Sequence, residues 1–262
     1  MAADGRWTAL VLAAGRGPDD PLARHTGSLH KALVPLGGTP MIVRVVTCLR
    51  SSPAIGRILV SIERDDVLAG VPELAAAGAV ATPSGSSASA SVLAVIDTVA
   101  PWPLLVVTAD HGLLTRAMVE RFLVGVPPDA DVAAAVVPAE VVQRAYPAAR
   151  RTFLRFRDRA LKGANMFAFQ TPASRGAALF WTRLEAHRKR PLRLIAELGP
   201  VAALGYALGW LRLDDAVRRL ERKARVKAAL VEVPIAEAAI DVDKPDDLVL
   251  AERILAHREA IV

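Results

Sequence analysis

The feature that most constrains this chain is an apolar run at residues 7–14 that breaks into Gly15, Arg16 and Gly17, with Lys31 following fourteen residues later. The run reads as a buried strand. Where a strand gives way to glycines, backbone N–H groups can approach a ligand closely, because no Cβ stands in the way. Such N–H groups favour an anion, and Arg16 and Lys31 add two mobile positive charges. The combination suits a nucleoside triphosphate. Taken alone, the glycines are equally compatible with an ordinary strand-to-helix turn.

Two common glycine-loop readings fail. A P-loop needs Gly-Lys followed by Ser or Thr at the end of the loop, and no such sequence closes this one. A dinucleotide fingerprint needs a third glycine after Gly15 and Gly17, where this chain has Asp20.

Charge is unevenly spread. Residues 150–229 carry 19 of the 33 Lys and Arg but 6 of the 27 Asp and Glu, a net of +13, which leaves −7 for the remainder. So large a local excess points to an anionic partner: a phosphorylated substrate, a membrane surface or nucleic acid. Nucleic acid ranks last, because neither zinc-finger spacing nor an aromatic-rich RNA-binding strand accompanies the cations. The most apolar stretch, residues 198–211, is too short to span a bilayer and is interrupted by Pro200 and three glycines. The N-terminus lacks the basic start and apolar segment of a secretory signal. The expected location is the cytoplasm, with peripheral contact at the inner face of the membrane as an option. The one cysteine, Cys48, lies in an apolar helical pattern and reads as a packing residue.

Strand-like and helical patterns alternate through the first half. Strands are expected at 7–14, 57–62, 104–108 and 132–137. Helices are expected at 39–49, from 87 or 89 to 99, and from 115 to about 124. This alternation predicts an α/β fold with a Rossmann-like, mainly parallel sheet covered on both faces. In the second half, 151–157 and 166–169 read as strands. A helical, basic insertion at about 174–228 follows, broken near 191, 199–200 and 213–214. A strand at 229–233 and a helix from Pro245 end the chain. The whole reads as one domain, with a nucleotide-binding half at 1–140 and an acceptor-binding half at 141–262.

Ligands of open α/β sheets bind beyond the carboxyl ends of the strands, and Asp110 ends the apolar run 104–109. It is a candidate ligand for Mg²⁺ beside a triphosphate, or a plain turn cap. Near the C-terminus Asp241 and Asp243 alternate along an extended segment, which puts both carboxylates on one face. Without a cation such a face is costly. Asp246 and Asp247 follow Pro245 into the first turn of the last helix, where the helix dipole is explanation enough.

These segments together resemble the MobA-like nucleotidyltransferases, a superfamily that includes the molybdenum cofactor guanylyltransferase and the sugar-phosphate and isoprenoid cytidylyltransferases. The family pattern is Leu-Ala-(Ala/Gly)-Gly-x-(Gly/Ser), a variable loop, then Lys-x-Leu-x-x-(Leu/Val)-x-Gly-x-Pro-(Leu/Met). Leu12, Ala13, Ala14, Gly15 and Gly17 match its first part. Lys31-Ala-Leu33, Leu36-Gly37 and Pro40-Met41 match its second. The segment from Asp241 to Leu248 is similar to the family's (Asp/Asn)-x-(Asp/Asn)-Thr-Pro-Glu-Asp-Leu ending, with Lys244 in place of Thr. The turn after Asp110 departs from the usual one, and His111 there has no assigned role.

The resemblance implies a sheet of the nucleotide-diphospho-sugar transferase type and transfer of a nucleoside monophosphate from an NTP, with release of pyrophosphate. It implies Arg16 and Lys31 as catalytic cations. It implies Asp110 and Asp243 as ligands of Mg²⁺, the expected cofactor, with Asp241 the weaker third. Ser84, Gly85, Ser86, Ser87 and Ser91 occupy the place of the base and ribose contacts, although one of these serines also suits a helix N-cap. Ser91 followed by Val92 resembles the isoprenoid cytidylyltransferases, which favours CTP over GTP. Lys162, Gly163 and Asn165 resemble segments that approach the acceptor, and they equally suit a hairpin turn. The acceptor is expected to be a phosphate- or phosphonate-bearing small molecule or an intermediate of a lipid pathway.

Two other functions fit parts of the chain. One is a nucleotide-sugar-dependent glycosyltransferase, which would show an Asp-x-Asp pair where this chain has Asp110-His111-Gly112. The other is a non-catalytic, membrane-associated nucleotide-binding protein. For the latter, Phe180, Trp181 and Leu184 beside Arg183, Arg188, Lys189 and Arg190 suggest an interfacial helix. Tyr206, Trp210 and a basic helix with Arg218, Arg219, Arg222 and Lys223 extend that pattern. The competing expectation is a helical subdomain with its cations turned to water.

Overall fold

The structure is a computed structural model, and it describes residues 5–15, 19–149, 151–185, 187 and 190–260. Among the described residues there are ten strands. They are β1 (Trp7–Leu12), β2 (Pro35–Leu36), β3 (Thr39–Pro40), β4 (Ile55–Ile62), β5 (Ala79–Pro83), β6 (Leu104–Thr108), β7 (Val132–Pro138), β8 (Leu154–Arg155), β9 (Ala160–Phe169) and β10 (Ala228–Glu232). The first helices are α1 (Pro21–Thr26), α2 (Met41–Ser51), α3 (Asp65–Ala69), α4 (Pro72–Ala76), α5 (Ala88–Val99) and α6 (Arg116–Gly125). After them come α7 (Ala139–Ala145), α8 (Arg175–Glu185), α9 (Pro191–Ala196), α10 (Pro200–Ala207), α11 (Leu213–Ala224) and α12 (Pro245–Glu259).

The main sheet has the order β10-β7-β9-β6-β1-β4-β5, with β8 added to β9. Every pairing is parallel except those of β9, which runs antiparallel to β6, β7 and β8. A mainly parallel sheet must be covered on both faces, and the strands show it. In β1, Ala9 and Val11 join the core beneath α2 and α6, while Leu10 joins the core beneath α5 and α8. β6 alternates the same way, with Leu105 and Val107 on one side and Leu104 and Val106 on the other. A further apolar group, including Leu36, Met41, Val242, Leu248 and Leu255, packs α12 against the loop regions.

The predicted alternation matches this order in outline, with three differences and one agreement in detail. β5 and the short helices α3 and α4 occupy a stretch without a clear period in sequence. Residues 151–157 form only the two-residue β8, although Arg157 N–H still reaches the Leu211 carbonyl at 2.8 Å. Residues 162–165 do not form a turn between two strands; they lie inside β9. There Asn165 takes a left-handed φ of +49°, and the β7–β9 register shifts between Ala134 and Val136. A bulge absorbs the residue that looked like a turn. Among its described residues the basic insertion forms four helices, α8 to α11, with breaks near the three predicted places. Among the described residues no helix is long and apolar enough to cross a membrane.

Candidate active site

β1 and β6 are parallel neighbours, so their carboxyl ends lie side by side. The Ala109 N–H donates to the Leu12 carbonyl at 2.9 Å, and Ala13 N–H donates to Ser61 at the end of β4. Leu12, Ala13 and Ala14 therefore line one small cleft, of about 40 Å³, together with Lys31, Ala32, Met41, Ala109 and Asp110. Lys31 reaches it from a single-turn 3-10 helix, Lys31–Leu33, whose N-cap is His30.

The C-terminal carboxylates arrive by a separate route. Val242 N–H donates to the Asp110 carbonyl at 3.0 Å, which sets the residue after it beside the end of β6. Asp243 N–H in turn meets Asp247 Oδ2 at 3.3 Å, and Asp247 is held by Arg151 at 2.9 Å with both side chains buried. Asp247 thus does more than sit in the first turn of α12, because it fixes the backbone of Asp243.

At the centre, Lys31 Nζ lies 2.7 Å from Asp110 Oδ2 and 2.7 Å from Asp243 Oδ1. Thr108 Oγ1 donates to the other Asp110 oxygen at 2.6 Å. Burial works against the ammonium, but the charges of Asp110 and Asp243 and their hydrogen bonds outweigh it, so the Lys31 pKa is raised. The lysine is fully charged. Only 13% of its side chain is exposed, so it is less accessible than a free phosphate-binding lysine would be.

Asp241 does not join this cluster. Its carboxylate pairs with Lys162 at 2.9 Å. His111 feels the charges of Asp241, Asp110 and Lys162, and among the described residues its ring nitrogens have no hydrogen-bond partner. Burial pushes its pKa down to about 4, so the imidazole is neutral at ordinary pH.

The glycine loop begins at Gly15, and a Cβ there would come within 2.7 Å of the His30 ring. Gly15 N–H donates to the Glu63 carboxylate, 3.1 Å from each oxygen. His30 Nδ1 accepts the Ala32 N–H, so the neutral ring carries its proton on Nε2 and donates it to Glu63 at 3.1 Å. Glu63 therefore joins the glycine loop to the segment that carries Lys31. Sequence reasoning missed Glu63 and His30; the available signal was that Glu63 follows the strand paired in parallel with β1. Arg16, expected as a catalytic cation, and Gly17, expected to bind nucleotide, lie outside the described residues.

The serine loop is held from within. Ser87 caps α5 by accepting the Ala90 N–H. Ser91 donates to the Ser87 carbonyl and accepts Gly85 N–H at 2.9 Å. A Cβ on Gly85 would fall 2.7 Å from the Ala90 backbone, so only glycine fits there. Glu185 of α8 accepts from Ala88 N–H, Ser89 N–H and the Ser89 hydroxyl, and so occupies the N-terminus of α5. Burial alone would raise its pKa. The hydrogen bonds from the Ser89 and Ser87 hydroxyls and from the Ser89 and Ala88 N–H groups outweigh that and hold the carboxyl below its usual range. Ser84 and Ser86 remain at the surface of the loop, half-exposed and exposed respectively.

Of the residues expected to meet an acceptor, Lys162 is half-buried, Gly163 faces open space, and Asn165 sits at the bulge of β9. A larger cavity of about 340 Å³ lies apart from these groups, between α11 and β10. Its arginines are already paired, Arg159 with Glu232 and Arg218 with Asp215, so it offers no spare charge to a triphosphate. Cys48 is partly buried, and burial pushes its thiol up to about 12, which rules out a nucleophilic role at neutral pH.

Known proteins resemble the chain in sequence and in fold. The chain is 30% identical to 2-C-methyl-D-erythritol 4-phosphate cytidylyltransferase from Streptomyces coelicolor, over 97% of this chain and 86% of that one. A hypothetical transferase from Thermus thermophilus superposes with a TM-score of 0.76 at 30% identity, covering 93% of this chain and 99% of that structure. The CMP:2-keto-3-deoxy-manno-octonic acid synthetase bound to CTP shares the fold, with a TM-score of 0.61 at 16% identity over 97% and 99% of the two chains. The family model of the MobA-like NTP transferase domain matches residues 9–197. That span holds the glycine loop, Lys31, Asp110 and Lys162, and the chain belongs to the MobA-like NTP transferase family.

Proposed function

We propose that the protein transfers a cytidylyl group from CTP to a phosphate-bearing acceptor and releases pyrophosphate. The observation that carries this reading is the Lys31 ammonium held 2.7 Å from both Asp110 and Asp243, beside the glycine loop that follows β1. The choice of CTP rests on the cytidylyltransferase relative.

An acceptor phosphate oxygen attacks the α-phosphorus in line. The bond from that phosphorus to the bridging oxygen of the β-phosphate breaks, and pyrophosphate departs. Catalysis then consists of positioning and charge neutralisation. Lys31 offsets charge that grows on the triphosphate, with Arg16 assigned the same task. Leu12, Ala13 and Ala14 shape the floor. Ser84 and Ser86 are the serines free to meet base or ribose. Lys162, oriented by Asp241, and Asn165 receive the acceptor.

The donor set fits Mg²⁺. Two hard carboxylates converge on one cation position, now spanned by the lysine ammonium. Among the described residues no third His, Cys, Asp or Glu completes a protein-only site. Mg²⁺ is commonly held by one or two carboxylates, with phosphate oxygens and water completing its shell. Asp110 and Asp243 would hold the ion, which when bound supplies Lewis-acid polarisation of the phosphates.

The test is incubation of the purified protein with each NTP, Mg²⁺ and a metabolite extract, reading pyrophosphate and the mass of any nucleotide-linked product. CTP-dependent pyrophosphate with a CMP-linked product is expected. Release from GTP alone would overturn the base assignment. No acceptor-dependent release from any NTP would overturn the activity.

A further inference from the structure

Residues 198–211 contain no charged side chain, yet several of their large apolar residues face outward. α10 turns Ala202 into the core and sets Tyr206 edge-on to Phe156, ring centroids 5.8 Å apart. Val201, Leu204 and Leu208 stand at i, i+3 and i+7 and so share one face of the helix. Val201 is 65% exposed, Leu204 62%, and Leu208 about half. Beyond the turn at Gly209 (φ +71°), Trp210 is 68% exposed. Leu192 of α9, which packs on α10, is half-exposed too. Isolated apolar residues at a surface need no explanation, but a contiguous group does.

The other aromatic groups of the insertion are accounted for inside the protein. Phe180 is buried, and Trp181 lies 4.8 Å from the Phe167 ring. α11 buries Leu213, Ala216 and Ala224 and turns its arginines outward. Arg188 and Lys189 lie outside the described residues. Among the described residues the exposed large apolar side chains of the insertion are thus Leu192, Val201, Leu204, Leu208 and Trp210, with Leu179 on α8.

We propose that this surface docks shallowly on an anionic lipid bilayer. The region around it carries the net charge of +13. Arg190 and Arg193 flank Leu192 in sequence; both are exposed, and among the described residues neither has an ion-pair partner. Arg212 follows Trp210 by two residues and is 3.9 Å from Asp158. Protruding aliphatics, a tryptophan and surrounding cations are what interfacial binding requires. A second copy of the chain is a poorer occupant, since it would set two like-charged regions against each other.

The surface is tied to the acceptor side. Tyr206 Oη accepts the Arg155 N–H at 3.1 Å, and Arg155 pairs with Ala160, two residues before Lys162. A docked α10 would bring that end of β9 toward the lipid, as suits an acceptor or product carried in a membrane.

The experiment uses the full chain without nucleotide, sedimented with phosphatidylcholine vesicles containing increasing phosphatidylglycerol. Binding should rise with phosphatidylglycerol and fall with salt. The L204S/W210S variant should lose about tenfold or more in partitioning, while its melting temperature and its pyrophosphate release with soluble acceptors stay unchanged. Brominated acyl chains should quench Trp210 emission, a signal lost in W210F. A protein that stays in the supernatant at low salt overturns the proposal. So does equal binding by L204S/W210S, or a concentration-dependent dimer that this variant dissociates. Since vesicle binding is read without nucleotide, either reading can fail while the other stands.

Discussion

Lys31 and Asp243 lie 212 positions apart in the chain and meet at 2.7 Å. Asp110 completes the contact from the end of β6, so one ammonium ties the first, middle and last parts of the chain together. A carboxylate pair of this kind is stable only with a cation between its members. The lysine fills that position here, and a divalent ion could share or replace it once phosphate draws the lysine away.

Lys31→Ala should lower turnover by about two orders of magnitude, from loss of roughly 3 kcal/mol of barrier stabilisation. It should also lower the melting temperature, because Asp110 and Asp243 lose the cation they share, a cost of about 1–2 kcal/mol for partly exposed groups. Added Mg²⁺ should restore part of that stability. Calorimetry with and without Mg²⁺ checks it, and an unchanged melting temperature would mean that the lysine does not bridge the pair.

Asp110→Asn and Asp243→Asn should each raise the Mg²⁺ concentration needed for half-maximal activity, since an amide is a poorer ligand for a hard dication. If both bind one ion, the double variant should fall well short of the product of the single effects. Mg²⁺ titrations of pyrophosphate release give the comparison; multiplicative losses would assign the residues to separate sites.

Arg151→Leu should cost roughly 3 kcal/mol in denaturant unfolding, because it strands the buried Asp247 carboxylate. Since Asp247 also receives the Asp243 N–H, the variant should lose activity under conditions where it remains folded. Full activity in the folded fraction would separate Asp247 from the site.

Glu185 gives a pH dependence with a defined sign. Its pKa is lower in the folded protein than in the unfolded chain. Its stabilising contribution is therefore present above the ordinary carboxylate pKa and is lost as pH falls through the lower folded value. Glu185→Gln should flatten that part of the stability profile and loosen the start of α5. Urea melts from neutral to acid pH should show the difference between the two proteins shrinking with acid; a constant gap would mean that the charge is not what holds the helix.

What the sequence determined by itself was local. The apolar runs, the glycines at 15 and 17, Asp110 at a strand end and Pro245 at a helix start each follow from neighbours within a few residues, and so the α/β order could be read. The carboxyl-end rule places Gly15 and Asp110 together from the order of elements alone. Partnership across long separations was decided only by the tertiary structure. Asp241 and Asp243 share one face of an extended segment, and the family resemblance ranks Asp243 first; the Val242–Asp110 hydrogen bond and the position of Lys162 give the two carboxylates different partners. Ser91 looked like a ligand contact until Gly85 and Ser87 were seen to use its hydroxyl. Asn165 looked like a turn because a left-handed φ is a turn signal, and a bulge inside a strand needs the same φ. Glu63 had no local pattern to mark it, since its meaning comes from a parallel strand pairing that brings it to Gly15, 48 positions away. Periodicity encodes which face of an element is buried; which side chains of two distant elements meet depends on how those faces pack.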